Sequence, residues 1–431
     1  MSLTKTQVII IGGVGLIIIV LGLILTGAIP GLKTTNPQVV SGNLEVWTLF
    51  DNETDLQTIL TNFRQAYPKV TVNFRTFSDP EEYENKLLDA LASGTGPDVF
   101  MIRNSNRLKY ENKIFPLAVS QVSLAKIQEL FPDVVVNDFT DVNATYALPL
   151  SIDTLALFYN RDMLGEAGIA IVPKTWEELQ AVIPRLVTTG AQNKITQAAA
   201  ALGGSGKSIS QASDILSLLM LQNGVKLVNE DLSSAQFASD WGENALNFYA
   251  QFSNPASQNY TWNDGLGNDL DAFSQEKVAM IFNYSSAREQ IKSRNEFLNF
   301  GIGPMLKSAQ AKKNISFPDY WGYTVSRQSK SGMLGWTFIL YLTTDPKTAE
   351  AYLTLTKKPP ALRTLINKYM SDPDIGVFAA QILTAKSWPE PDANAVSKIF
   401  SDAILAVITG RLTARSALEQ AQNQVTQLMQ K

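Results

Sequence analysis

The 431-residue chain contains no cysteine and no histidine. Without cysteine there are no disulfides, no thiolate metal sites and no cysteine nucleophiles. Without histidine, Ser-His-Asp chemistry, imidazole acid–base catalysis and most zinc sites also fall away. Few tools for an enzyme remain, and no cofactor or metal is implied. Charge is sparse as well. Asp, Glu, Lys and Arg make up 18% of residues and the formal net charge is −4, which argues against a nucleic-acid or anionic-membrane surface. Hydrophobic residues at 45% suffice for real cores, and the length exceeds one ordinary domain, so two lobes are expected.

Residues 8–29 carry no charge, roughly the length a helix needs to cross a ~30 Å hydrocarbon core. Two readings compete. One is a cleaved signal with Thr26-Gly27-Ala28 as its small-residue site. The preferred one is an uncleaved transmembrane anchor with residues 1–7 as a short cytoplasmic end and the bulk of the chain outside the cell membrane. Lys5 and Lys33 flank the span on opposite sides, so charge does not orient it. Residues 30–42, PGLKTTNPQVVSG, form a linker of about 20 Å as a flexible coil.

The folded part opens strand–helix–strand. Leu44–Thr48 is a strand; Leu56, Ile59, Leu60 and Phe63 mark a helix that Pro68 stops; Val70, Val72 and Phe74 alternate as a second strand. Residues 81–102, EEYENKLLDALASGTGPDVFMI, read as a helix, a glycine stop and a buried strand. Tyr83, Leu87, Ala90 and Leu91 share one helical face, Gly94 and Gly96 permit positive φ, and Pro97 prevents continuation. Val99–Ile102 is an apolar run typical of a parallel-sheet strand. Ligands of open α/β sheets bind beyond the carboxyl ends of such strands, which puts Arg103, Asn104 and Ser105 at a crevice. Later units repeat the alternation: Leu155–Tyr159 as strand, Trp176–Val187 as helix with Thr175 and Glu178 as its capping box, Thr196–Leu202 as strand and Ile209–Gln222 as helix. Trp47, Trp176, Trp241 and Trp336 lie within expected elements and are assigned to cores, whereas Trp262 sits in a loop.

Leu202–Ser208, LGGSGKS, approaches a phosphate-binding loop. The first glycine of a Walker A motif is replaced by Ala201, and nothing else in the chain supports nucleotide binding. A glycine-rich loop at a sheet's carboxyl edge suits a solute cleft equally well, with Ser205 as a contact.

Four segments in order resemble the extracellular solute-binding proteins of carbohydrate importers, the maltodextrin-binding-like family. They are KLLDALASGTGPDV within residues 86–99, YALPLSIDTLALFYNRDM at 146–163, PKTWEEL at 173–179 and FSQEKVAMIFN at 273–283. The resemblance implies an α/β, two-lobed periplasmic-binding-protein type II fold, each lobe a mainly parallel sheet flanked by helices, here preceded by one N-terminal transmembrane helix. It implies three passages between lobes, placed near Leu148–Asp153, Gly301–Pro304 and Lys357–Ala361. Lobe 1 then comprises 43–150 and 304–356, and lobe 2 comprises 151–303 and 357–431. Family members are often tethered by a lipidated cysteine, and this sequence departs from that pattern by having none.

The resemblance also suggests where a sugar would be held. Asp51, Asn52 and Glu53 follow the first strand, where the family places a polar contact. Arg103 and Asn104 follow the signature strand, and Asp153 stands at the place of a ligand-contacting acid. Tyr284 and Ser285 follow AMIFN, where the family offers a stacking aromatic, and Trp321 and Trp388 fall in regions that approach the cleft. The implied function is capture of a small-molecule solute, a sugar or oligosaccharide, by lobe closure and delivery to the permease subunits of an ABC importer. The chain is expected to act as a monomer, tethered to the membrane by its N-terminal helix, without nucleic acid. Alternatives are a glycan hydrolase working with two carboxylates, or a domain presenting solute to a membrane receptor.

Overall fold

The computed structural model describes residues 40–51, 53–311 and 314–430. The expected span at 8–29, most of the linker and Asn52 lie outside these residues. Among the described residues no helix is long and apolar enough to cross a membrane.

Strands β1 (Ser41–Leu49), β2 (Lys69–Phe77) and β3 (Val99–Arg103) open the first sheet. A small antiparallel pair, β4 (Leu117–Ala118) and β5 (Ala144–Thr145), precedes β6 (Leu148–Pro149) and β7 (Asp153–Thr154). Then come β8 (Ala156–Asn160), β9 (Thr188–Thr189), β10 (Ile195–Ala200), β11 (Val278–Asn283), β12 (Phe300–Gly303), β13 (Pro318–Asp319) and β14 (Trp321–Val325). The first sheet has the order β2-β1-β3-β14-β6 and the second β12-β8-β11-β10-β9.

Both sheets are mixed, which corrects the expectation of mainly parallel ones. In the first, β1 pairs in parallel with β2 and β3, but β14 runs antiparallel to β3 and to β6. In the second, only β10 and β11 are parallel, while β8 runs antiparallel to both β11 and β12. The reason is connectivity: β8 and β14 enter their sheets straight from the seam, through β7 and β13, and not from a helical crossover within the sheet.

Local chemistry accounts for the elements that carry the site. The helix Pro80–Ala92 starts with proline in its first turn and with the Asp79 carboxylate accepting from the Glu82 amide at 2.7 Å. It buries Tyr83, Leu87 and Leu91 and stops before Gly94, whose φ of +74° is open to glycine at little cost. The Thr175–Glu178 capping box forms as expected and launches the helix Trp176–Leu186.

Each sheet has its own hydrophobic core. One gathers Leu44, Val46, Phe63, Leu87, Phe100 and Tyr323; the other gathers Leu157, Phe158, Leu216, Trp262, Phe282 and Phe400. Core membership changes hands between Ile152 and Leu155, at β7, and again between Phe317 and Tyr320, at β13. These two short strands pair antiparallel, Asp153 opposite Asp319, and form the seam. Met305 and Leu306 pack in the second core, and Gly301–Gly303 is part of β12, so the chain leaves the second core later than the expected passage near Gly301–Pro304. After Lys357, Leu365 and Ile366 pack in the first core, whereas Trp388, Val396 and Phe400 pack in the second. Trp262 is buried, and Trp241 is 63% exposed, against the expectation of a core position: its side chain lies on the outer face of the helix Asp240–Ala250.

Candidate functional site

Two cavities meet at the seam. The larger, about 460 Å³, falls within the ~300–1,000 Å³ typical of small-molecule sites and is walled by Phe50, Trp321, Asp153, Tyr284, Arg288 and Lys358 among others. The smaller, about 190 Å³, is walled by Arg103, Asn104, Asp214, Trp388 and Glu390 among others. Gln211 and Asp319 border both, so the cavities are adjoining parts of one cleft.

The carboxyl ends of the strands supply the walls. β3 ends in Arg103, whose Nε donates to Asp319 Oδ1 at 2.6 Å. From the second sheet, β11 leads to Tyr284, whose hydroxyl donates to Asp214 Oδ2 at 2.7 Å. Burial disfavours charge on Arg103, but Asp319 and Asp214 outweigh it and hold the guanidinium pKa above its ordinary value. The same burial raises the Asp214 carboxyl, against the pull of Arg103. Glu390 is pushed up to about 8, chiefly by burial, with Asp214 and Asp319 adding to the effect and Arg103 opposing it. Its amide donates to the Ser105 carbonyl at 2.9 Å, tying the segment that bears Trp388 to the end of β3.

Asp153 lies at the junction. Its Oδ2 accepts from the Ser285 amide at 2.9 Å and the Ser285 hydroxyl at 2.5 Å, and its pKa is raised to about 6 by burial despite these bonds. Asn104, at the edge of the smaller cavity, donates from Nδ2 to Asp138 Oδ2 at 3.1 Å, and the Tyr320 hydroxyl donates to the same oxygen at 2.6 Å. Ser387 also donates to Asp138, whose pKa burial raises to about 6.

Aromatic side chains line the larger cavity as well. Phe50, half exposed, packs edge-on against Trp321 with centroids 6.5 Å apart, and Trp321 rests on Tyr83 at 5.8 Å. Phe50 holds φ = +67°, a left-handed backbone that disfavours non-glycine residues. Strain of this kind persists where surrounding structure enforces it and concentrates at binding sites.

Arg103, Asn104, Asp153, Tyr284, Ser285, Trp321 and Trp388 all border the cleft. Two of the expected contacts do not. Asp51 is buried behind the wall and accepts from Tyr352 at 2.7 Å, Thr48 at 3.2 Å and Lys358 Nζ at 2.6 Å. Its role is to position Lys358, which does face the larger cavity. Ser205 is fully buried and lies outside both cavities. Its amide and hydroxyl donate to Asp264 at 2.8 and 2.6 Å, and Ser208 donates to the same carboxylate at 2.7 Å. The glycine-rich loop therefore closes on Asp264, which fills the place an anion would take. Glu53 begins the helix Glu53–Ala66.

Sequence reasoning missed Phe50, Asp214, Asp319 and Glu390. Asp319 and Glu390 each stand two residues from a tryptophan already singled out, a signal that was present. Phe50 and Asp214 gave none, Phe50 lying just past the expected strand Leu44–Thr48 and Asp214 inside the expected helix Ile209–Gln222. Among the described residues no group of carboxylates is placed to hold a metal ion.

Residues 58–375 match the family of bacterial extracellular solute-binding proteins. A binding protein of Brucella abortus is 20% identical over 379 residues, covering 86% of this chain and 88% of its own. The galactooligosaccharide-binding protein of Bacillus subtilis is 24% identical over 394 residues, 88% of this chain and 87% of its own. Among solved structures, the sugar-binding protein MalE of Xanthomonas citri superposes with a TM-score of 0.74 at 18% identity, covering 90% of this chain and 97% of that one. The likeness in architecture extends over both sheets and the seam between them. With the family match spanning most of its length, this chain belongs to the bacterial extracellular solute-binding proteins, which bind their solutes and are not enzymes.

Proposed function

We propose that this protein captures a carbohydrate in the cleft between its two lobes and hands it to an ABC importer from the outer face of the membrane. The observation that carries this reading is the composition of the cleft. An aromatic pair, Phe50 and Trp321, lines the larger cavity together with Asp153, Tyr284 and Ser285, and Arg103 lines the smaller one beside it. Sugar rings present apolar C–H faces to such aromatics and hydroxyls to such polar groups. The names of two relatives, a galactooligosaccharide-binding protein of Bacillus subtilis and a sugar-binding protein of Xanthomonas citri, agree with that chemistry.

In this reading the lobes swing about β7 and β13, and solute stabilises the closed form through contacts present only there. The first lobe comprises the first sheet and the helices packed on it, and the second lobe includes 155–317 and the C-terminal helices after Trp388. Residues 8–29 tether the domain to the membrane, where permease subunits would receive the closed form. The test is a thermal-shift and calorimetry screen of the purified chain against oligosaccharides. A solute at a hundred times its dissociation constant should add about 2.7 kcal/mol of stability. Absence of any stabilising sugar across mono- to tetrasaccharides of glucose, galactose and glucosamine types would overturn the carbohydrate reading.

A further inference from the structure

Exposed apolar side chains gather at the end of the first lobe where β1 begins, remote from the cleft. Val40, Phe115, Val119, Val142 and Met333 are all exposed there, Val142 by 81%. Contacts join them into one face. The Val119 amide donates to the Asn143 carbonyl at 3.0 Å, next to Val142. Gln121 Nε2 donates to the Met333 sulfur at 3.0 Å, and the Phe115 ring lies so close over Gly332 that a Cβ there would meet it at 3.0 Å. A Cβ on Gly42 would meet Leu334 at 2.9 Å, which sets the start of β1, and Val40 with it, beside the helix Gly332–Thr344. From there β1 runs toward Phe50 and the cleft, about 25 Å away at ~3.3 Å per residue. Apolar surface gathered in this way marks an interaction site, where single scattered residues do not.

Two observations say what covers this face. The first is where the chain enters it. Val40 is the first described residue, and only residues 30–39 separate it from the uncharged run 8–29. As a flexible coil that stretch spans about 15–20 Å, less than the length of β1, so a run held in a bilayer keeps this face next to the lipid. Tethering of this kind makes even a weak contact effectively intramolecular. The second is charge. Although the whole chain carries −4, the rim here is basic. Arg327, whose Nε donates to the Ile114 carbonyl beside Phe115, and Lys330 are both exposed. The helix Gly332–Thr344 starts at the same rim with no side-chain cap and no acid in its first turn, an end that favours phosphate. Two nearby acids are taken up by their own neighbours. Asp98 accepts from the Ser329 hydroxyl and the Glu45 amide, and Asp141 from the Asn143 and Ala144 amides and the Tyr146 hydroxyl.

We infer that this face rests on the surface of a phospholipid bilayer, with Phe115, Val119, Val142 and Met333 in the headgroup layer and Arg327 and Lys330 against lipid phosphates. The inference rests on the membrane tether at 8–29 proposed above and adds an orientation to it. Apolar side chains at a bilayer interface leave water, and cations beside them gain the attraction of anionic headgroups. The cleft lies at the other end of β1, so it stays in water while the domain is docked, and solute can enter.

The test uses the full chain, which has no cysteine and therefore accepts a single label site. It is reconstituted in phosphatidylcholine–phosphatidylglycerol nanodiscs whose headgroups carry a nitroxide quencher. A fluorophore is placed on Ser120→Cys, an exposed position within the face, or on Phe297→Cys, an exposed apolar position on the second lobe. The expected result is loss of most of the fluorescence at position 120 and little loss at 297, with Val142→Asp combined with Met333→Asp restoring the signal at 120. A chain held on the discs with both labels bright would overturn the docked face and leave the tether standing. Equal quenching at both positions would also overturn it, since no face is then preferred. A chain that does not stay with the discs would overturn the tether and the inference with it. A label at 120 that is shielded from aqueous iodide yet not quenched by lipid would reveal a protein cover, such as a second copy, and overturn the bilayer. The two labels are compared without the Asp substitutions, so a double variant that misfolds does not remove the test.

Discussion

The carboxylate of Asp153, on the strand that joins the two sheets, accepts both the amide and the hydroxyl of Ser285, at 2.9 and 2.5 Å from one oxygen. Ser285 follows β11, so this contact fixes the carboxyl end of a second-sheet strand directly to the seam. Tyr284, the residue before Ser285, donates its hydroxyl to Asp214.

Replacing Asp153 by Ala should accordingly affect both stability and binding. Two donors of Ser285 lose their acceptor, a loss of about 1–3 kcal/mol. Solute affinity should fall as well, because Asp153 and Ser285 both line the larger cavity. Denaturant titration and calorimetry on the same variant measure the two effects. A fold as stable as the parent would show that the Asp153–Ser285 contact contributes nothing.

Phe50 offers the opposite separation. Its left-handed φ is natural for glycine, so Phe50→Gly relieves strain of about 1–2 kcal/mol while giving up contact with Trp321. Stability should stay within about 1 kcal/mol of the parent. Affinity for solute should drop by roughly 0.5–1.5 kcal/mol or more, the contribution of one stacking ring. Unchanged affinity would remove Phe50 from the site.

Asp51 should behave as a structural residue. Its side chain is fully buried and receives Tyr352, Thr48 and Lys358. Asp51→Ala leaves these donors facing a void and should cost roughly 3 kcal/mol, seen as a lower urea midpoint with an unchanged slope. A loss below 0.5 kcal/mol would contradict this account.

The pH dependence of the solute-free protein follows from its raised carboxyls, among them Asp214 and Asp269, which burial also moves upward. Asp138 and Asp153 move from 3.8 to about 6, and Glu390 from 4.5 to about 8, in each case mainly through burial. Between their unfolded and folded values the native state binds more protons than the unfolded chain. Their contribution is therefore greatest near pH 4 and declines as pH rises to about 8. For Asp141 and Asp392 burial pushes upward, but hydrogen bonds and neighbouring cations outweigh it and hold both low, so they act in the other sense and their contribution is lost only as pH falls below about 4. The melting temperature should thus be higher at pH 5 than at pH 8, and Glu390→Gln should flatten the decline between pH 6 and 8. A melting temperature that rises over that interval would refute the assignment.

Some of this was legible in residue order alone. The apolar spacing of Tyr83, Leu87 and Leu91, the stop at Gly94 and the run from Val99 to Ile102 specify their elements through local rules of helix faces, positive φ and strand burial. The position of Arg103 at a strand's carboxyl end follows from those rules, and so does its place beside the cleft. The lack of cysteine and histidine decided what chemistry was absent. Tertiary structure decided the rest, because the relevant partners lie far apart in the chain. Arg103 meets Asp319 across 216 positions, Asp51 meets Lys358 across 307, and Ser205 meets Asp264 across 59. No local pattern encodes such pairings. They depend on how two cores, each closing around its own sheet, set the strand ends against each other at β7 and β13, and that meeting determines which side chains face solute and which only support it.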